Sequence, residues 1–333
     1  MNSKIKVYRF EEPDSDEWDE FVENSNNGTL FHLRTFLSYH IDRQFEDHSL
    51  IFKKKSNIIA VFPAAKIREN QKKILYSHPG ASYGGFVYQK LIFNDAETII
   101  DLFENYLNGH GFDKTFFIPT PSIYSKDRDE TIEYALLWRD YKPVEHYISS
   151  VIPIHTDIEK NLGKIYRLKK RSKSYYKRII QENNITFQWE NDFDTFYPIL
   201  VENKKRHHAK PTHSLDEIKK IDELLPDRLN LLLMYSDDQP IGGTLIINAN
   251  KQMGIIFYNM INYNYSHIQP AILQTMEVIR YAAKKNISYL DFGVSQDPKA
   301  DNPLTPSHSL IQFKEETGAF TIIRKAYNKI FTL

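Results

Sequence analysis

The sequence carries one order of elements twice, and this constrains its fold more than any other feature. LIFKKKSNIIAVFPA (50–64) and LLMYSDDQPIGGTLI (232–246) each read as a strand, a polar turn and a second strand. Further along each half, LFENYLNGHGFDKTFFIP (102–119) and VIRYAAKKNISYLDFGVS (278–295) each read as a helix feeding a strand. Two matches in the same order imply a duplicated α/β unit with a mixed sheet. The expected division is 1–153 and 154–333, and 333 residues suit two domains.

The remaining pattern fills in around these anchors. Helical spacing covers 15–24, 29–45, 95–109, 159–182, 193–207, 214–224, 270–285 and 308–316. Strands are expected at 48–55, 57–67, 73–77, 114–118, 146–153, 185–189, 229–236, 240–249, 253–260, 287–293 and 319–327, with 294–307 irregular. A content of 41% hydrophobic residues, including 21 Tyr and 21 Phe, is enough for full cores. The 43 basic residues balance 43 acidic ones, so global charge offers no case for DNA binding and any basic site is local. With no cysteine, disulfides, thiolate zinc sites and a cysteine nucleophile are excluded. MNSKIKVYRFEEPDSDEW lacks the apolar core of a signal peptide, and no run reaches membrane-span length. The expectation is a soluble cytoplasmic protein.

GASYG (80–84) has the spacing of the G-x-S-x-G nucleophile elbow, with Ser82 as the nucleophile. An elbow needs a helix straight after the serine. Here Gly84-Gly85-Phe86-Val87-Tyr88 follows, extended in character and opened by two poor helix formers. The other reading is a glycine loop that lets backbone approach closely, with Ser82 and Tyr83 lining a substrate cleft.

Four features of the second half go together. LKKRSKSYYKRII (168–180) is a cationic amphipathic stretch. It is either a solvated helix face or a phosphate receiver, in which Lys170, Arg171 and Arg178 would serve. PIGGTLIINANKQMGIIFYNM (240–260) leads through a loop to a helix opened by Pro270. Proline suits that position, and a helix N-terminus suits a pyrophosphate. YLDFG (289–293) ends a buried strand in Asp291 and Gly293, and LIQFKEETGA (310–319) carries Phe313-Lys314.

In these elements the run from about 155 to 319 resembles the C-terminal domain of FemAB/FemX-type proteins, which are double GNAT-fold acyltransferases. SHPGASYGGF in the first half is similar to the glycine stretch of the group's N-terminal domain. The resemblance implies two tandem GNAT-like domains, the first degenerate, with a substrate groove between them. It also implies transfer of an acyl or aminoacyl group to an amine. By the match to the family's Phe-Lys pair, Phe313 would contact substrate and Lys314 would stabilise the oxyanion. Lys170 and Arg171 would hold a diphosphate or carboxylate. The loop YSHIQPAIL (265–273) lacks the glycine-rich signature of acetyl-CoA sites, although its backbone amides can still cradle phosphate. Under an acyl-CoA reading His267, Gln269 and Ala271 would contact the donor there. Ile246 would contact it on strand 240–249, against which the pantetheine would lie.

Amide formation also needs a route for the amine's proton. Asp291 is a base or amine anchor, or the cap of the turn at Phe292-Gly293. RHHAKPTH (206–213) offers His207 and His208, which are adjacent and cannot both face one metal, so no metal site is expected. His208 is a candidate base, His207 a substrate contact, and Tyr258 either a catalytic hydroxyl or a core tyrosine.

Two donors stay open. Acyl-CoA would acylate an amine of an amino sugar or cell-envelope precursor, with no permanently bound cofactor. Aminoacyl-tRNA would instead serve a peptidoglycan-type nucleotide precursor. A non-catalytic binding module of the same fold is the third possibility.

Overall fold

The computed structural model describes residues 4–40, 45–206 and 208–331. The chain forms two compact units, one reaching to Tyr147 and including the residues from Ile323 onward, the other running from Ile148 to Ile322. The expected division at 153/154 placed the whole C-terminal stretch in the second domain. Residues from Ile323 belong instead to the first unit.

In the first unit, strands Ile5–Arg9, Leu50–Lys54, Asn57–Phe62 and Val87–Tyr88 form an antiparallel sheet in that order. A second group pairs Glu46–Asp47 with Ala65–Glu69 and Ala65–Glu69 with Lys72–Ser77, all antiparallel. Lys72–Ser77 then lies parallel to Lys114–Phe117. Helix Phe93–Gly109 buries Ala96, Ile99, Ile100, Phe103 and Leu107 on one face. Phe103 meets Phe62 at 4.6 Å and Phe86 at 5.0 Å between ring centroids, so aromatic side chains fill this core.

The expected helix at 29–45 is broken. Leu30–His32 is a 3-10 turn, Leu33 is extended, and only Arg34–Leu37 is α-helical. Local side chains take the amides a continuous helix would use. Thr29 and His32 form a reciprocal cap, and Asp19 accepts from the Arg34 and Thr35 amides at 2.5 and 3.1 Å. Residues 41–44 of that expectation lie outside the described residues. Helix Thr131–Trp138 was not anticipated.

The glycine loop has no helix after it. The Gly84 amide bonds the Ile118 carbonyl at 2.8 Å, Gly84 bridges Pro119, and the Gly85 amide reaches Ser77 Oγ at 2.7 Å. A Cβ on Gly84 would fall 2.4 Å from the Ser77 carbonyl carbon, so backbone passes backbone there without room for a side chain. The loop therefore runs parallel beside Ile118 and Pro119, the residues that continue Lys114–Phe117.

In the second unit, strands Ile185–Trp189, Leu229–Ser236, Gln239–Asn248 and Met253–Ile261 are antiparallel neighbours. Met253–Ile261 is followed by Tyr289–Val294, which is parallel to it, and then by residues 149–153 of strand Lys142–Pro153. Helix Pro270–Lys284 covers one face of this sheet and helix Phe193–Arg206 the other. Gly242 and Gly243 show why PIGG is glycine-rich. A Cβ on Gly242 would come 2.9 Å from Gln274 of the first helix, and one on Gly243 would come 2.7 Å from the Phe196 ring of the second.

The basic stretch expected as one helix over 159–182 is two, Ile158–Leu168 and Lys173–Glu182. Lys170 at φ +52° turns the chain left-handed, and Ser172 Oγ caps the second helix by accepting from the Tyr175 amide. Each helix buries its own short stripe, Leu162 and Ile165 on one and Tyr176 on the other.

Candidate active site

The second unit's parallel pair is short. Met253, Gly254 and Ile255 pair with Tyr289, Leu290 and Asp291, and beyond them the two strands have no register. The facing edges of Ile256–Ile261 and Phe292–Val294 are thereby released from sheet pairing. Past the end of Met253–Ile261, a 3-10 turn over Tyr263–Ile268 leads through Gln269, at φ +57°, into helix Pro270–Lys284. Among the described residues no side chain caps this helix; its first residue is proline, and no acidic residue sits in its first turn. The dipole end is therefore left to a ligand or to water.

A pocket of about 350 Å³ opens at this helix end, walled by Lys169, Arg171, Gln269, Ala271, Phe313 and Glu316 together with Ile261 and Ser266. Lys169 forms an ion pair with Glu316, so those charges cancel. Arg171 makes no ion pair among the described residues; its guanidinium lies 4.9 Å from the Tyr175 ring centroid. Gln269 Nε2 reaches the Tyr175 hydroxyl at 3.4 Å, tying the turn to the basic helix. The pocket thus joins one uncompensated guanidinium to one uncapped helix N-terminus.

Asp291 and Lys314 are buried together, 1% and 3% exposed. Asp291 Oδ1 accepts from Ser149 Oγ at 2.8 Å and from the Gly293 amide at 2.7 Å. Of the two readings open for Asp291, the turn-capping contact is present. Lys314 Nζ donates to the carbonyls of Gly293 and Val294 at 2.8 and 3.1 Å and to Ser295 Oγ at 2.7 Å. An ammonium has three N–H donors, and here all three are engaged. Burial brings the lysine's pKa down to about 8, against the raising pull of Asp291. Gly293, at φ +68°, has open space where a Cβ would stand.

The predicted residues divide accordingly. Arg171, Gln269, Ala271 and Phe313 meet in the pocket, and Lys314 and Asp291 form the buried pair. Lys170, Arg178 and His267 are exposed and do not line it; Arg178 sits 3.8 Å from Glu182. His208 is exposed, and His207 lies outside the described residues. Tyr258 is 2% exposed; its hydroxyl accepts from the Thr212 amide at 3.2 Å, and burial raises its pKa. It is a core tyrosine. The expectation that a pantetheine would lie against strand 240–249, touching Ile246, is overturned. Gln239–Asn248 is paired on both edges and Ile246 is wholly buried in the core. The released edge belongs to the next strand. In the first unit Tyr83 is buried against Phe31 and Tyr124, and the Ser82 carbonyl accepts from Arg324 at 2.6 Å. Ser149, Ser295 and Tyr175 were not foreseen; Ser149 is 142 residues from the aspartate it holds, a distance no local pattern spans.

The site thus combines two parallel strands whose pairing ends after three residues with the uncapped start of helix Pro270–Lys284. Residues 165–300 match the family model described as an acetyltransferase (GNAT) domain. No curated protein sequence matches the chain. Among solved structures, FemX superposes with a TM-score of 0.66 at 12% identity, covering 98% of this chain and 97% of its own. The C-terminal domain of a putative lysylphosphatidylglycerol synthetase from Agrobacterium fabrum gives 0.58 at 10% identity, covering 95% and 91%. A tandem GNAT protein from the clavulanic acid biosynthesis pathway gives 0.51 at 6%, covering 98% of each chain. At these identities the likeness is one of fold. The chain has a mixed α/β fold similar to that of FemX and of the tandem GNAT protein, and its C-terminal half carries the match to a GNAT acetyltransferase domain. No described helix is long and apolar enough to cross a membrane.

Proposed function

We propose that the protein transfers an acyl group from acyl-CoA to an amine of an amino sugar or related cell-envelope precursor. The observation that carries this reading is the pocket at the start of helix Pro270–Lys284. An unpaired Arg171 and an uncapped helix end converge there, a combination suited to a diphosphate. The released edge of Met253–Ile261 lies on the strand that leads to this pocket and offers backbone partners to the amides of a pantetheine arm.

In the reaction the amine nitrogen attacks the thioester carbonyl and forms the new C–N bond. The C–S bond then breaks, and the departing thiolate gains a proton for the one the amine gives up. Lys314 supplies the positive charge toward the tetrahedral oxyanion, exchanging Ser295 Oγ for it as an acceptor. Asp291 positions the Gly293 bend and holds Lys314 in its cationic form.

A second reading, aminoacyl transfer from tRNA, draws on the exposed cations Arg167, Lys170, Arg171, Lys173, Lys177 and Arg178. The discriminating experiment follows thiol release from acetyl-CoA with a disulfide reagent over a panel of amino sugars. The chain has no cysteine, so the readout has no protein background. Amine-dependent thiol release supports the acyl-CoA reading; none with any amine, beside transfer from charged tRNA, replaces it with the second.

A further inference from the structure

A second pocket, of about 570 Å³, is lined by the start of the same turn, whose end lines the first, and the two share Ile261. Its walls include Glu202 and Arg206 from the end of helix Phe193–Arg206, Gln239 from the hairpin, and Asn262, Tyr263 and Asn264 from the turn. The Arg206 guanidinium lies over the Tyr263 ring, 4.2 Å from its centroid. Arg206 makes no ion pair among the described residues, and Glu202 is the pocket's one carboxylate, itself exposed. The helix delivers Lys204, Lys205 and Arg206 in its last turn, and the RHHAKPTH stretch begins there.

We infer that this second pocket receives the adenosine end of the CoA donor and that Arg206 binds its 3′-phosphate; this rests on the acyl-CoA reading above. A diphosphate at Arg171 leaves the nucleotide to continue outward, and the pocket at the start of the turn is the neighbouring concavity. Its polar rim of Gln239, Asn262 and Asn264 offers donors and acceptors to a purine edge, and the Tyr263 ring supports the Arg206 guanidinium. A guanidinium without a carboxylate partner suits a dianionic phosphate, to which it can donate two parallel hydrogen bonds. Arg206 then makes the protein select CoA over donors that lack the 3′-phosphate.

The test is calorimetric, with acetyl-CoA and 3′-dephospho-acetyl-CoA titrated into wild-type protein, Arg206→Gln and Tyr263→Leu. Wild type is expected to bind acetyl-CoA about tenfold more tightly than the dephospho compound, the step a charge-assisted contact supplies. In Arg206→Gln that difference should vanish, with dephospho affinity unchanged, and in Tyr263→Leu it should shrink. Equal binding of the two compounds by wild type overturns the assignment while leaving acyl-CoA as the donor. So does an Arg206→Gln variant that weakens both compounds alike. If neither compound binds wild type, the donor reading fails and takes this one with it.

Discussion

Acidification should destabilise the first unit through His32. This ring is fully buried; its Nδ1 accepts from the Thr29 amide at 3.0 Å, and its carbonyl accepts from Trp18 Nε1 at 2.8 Å. A nitrogen that accepts an amide hydrogen cannot also carry a proton, and no carboxylate pairs with the ring among the described residues. Burial brings its pKa down from 6.5 to about 4. The depressed pKa means that the unfolded chain binds the proton first. The stability is present in full above about pH 6.5, is lost as pH falls, and stops changing below about pH 4. A shift of this size corresponds to roughly 3 kcal/mol over the whole window, of which about 2 kcal/mol is gone by pH 5. His78, also buried with a pKa near 4, adds a loss of the same sign. The assay is urea unfolding at pH 7 and pH 5 of wild type and His32→Asn, whose amide oxygen still accepts the Thr29 amide. The variant should lose about 2 kcal/mol less than wild type on acidification. Equal losses would refute the assignment of the proton to His32.

Other outcomes follow from the same geometry. Gly84→Ala should lower stability by about 1–3 kcal/mol in urea, because the new methyl meets the Ser77 backbone rather than a movable side chain. Lys314→Met should reduce kcat by about a hundredfold or more while changing acetyl-CoA affinity less than threefold, the split expected of an oxyanion partner outside the donor pocket. With a lysine pKa of about 8, wild-type kcat should decline as pH rises through 8, since the cation is the active form. Asp291→Asn keeps an acceptor for the Gly293 amide but removes the charge that favours the lysine cation. It should therefore shift that decline to lower pH, as a kcat–pH profile will show.

The elements that are legible in the sequence are those whose pattern is local. The hairpin 229–248, helix Pro270–Lys284 and the strand after it follow from alternation, a turn and an apolar stripe, and all three are found within a residue or two of their expected ends. Helix Thr131–Trp138 escaped because Tyr134, Leu137 and Trp138 are apolar but exposed, which erases the stripe. The breaks at Leu33 and Lys170 escaped because side chains capture amides within otherwise helical patterns. At the site, Arg171, Gln269 and Phe313 come from three separate elements and meet only in the fold. Which strand edge is open is a matter of register, and that is why Ile246 was misplaced.

The central claim is that the Arg171 pocket binds the diphosphate of an acyl-CoA, and the most direct test is calorimetric titration of acetyl-CoA into wild type and Arg171→Ala. The account predicts saturable binding to wild type that weakens about tenfold in the variant, the loss of one charge-assisted phosphate contact. Wild type that takes up no acetyl-CoA at millimolar concentration, or a variant that binds it as tightly as wild type, would contradict it.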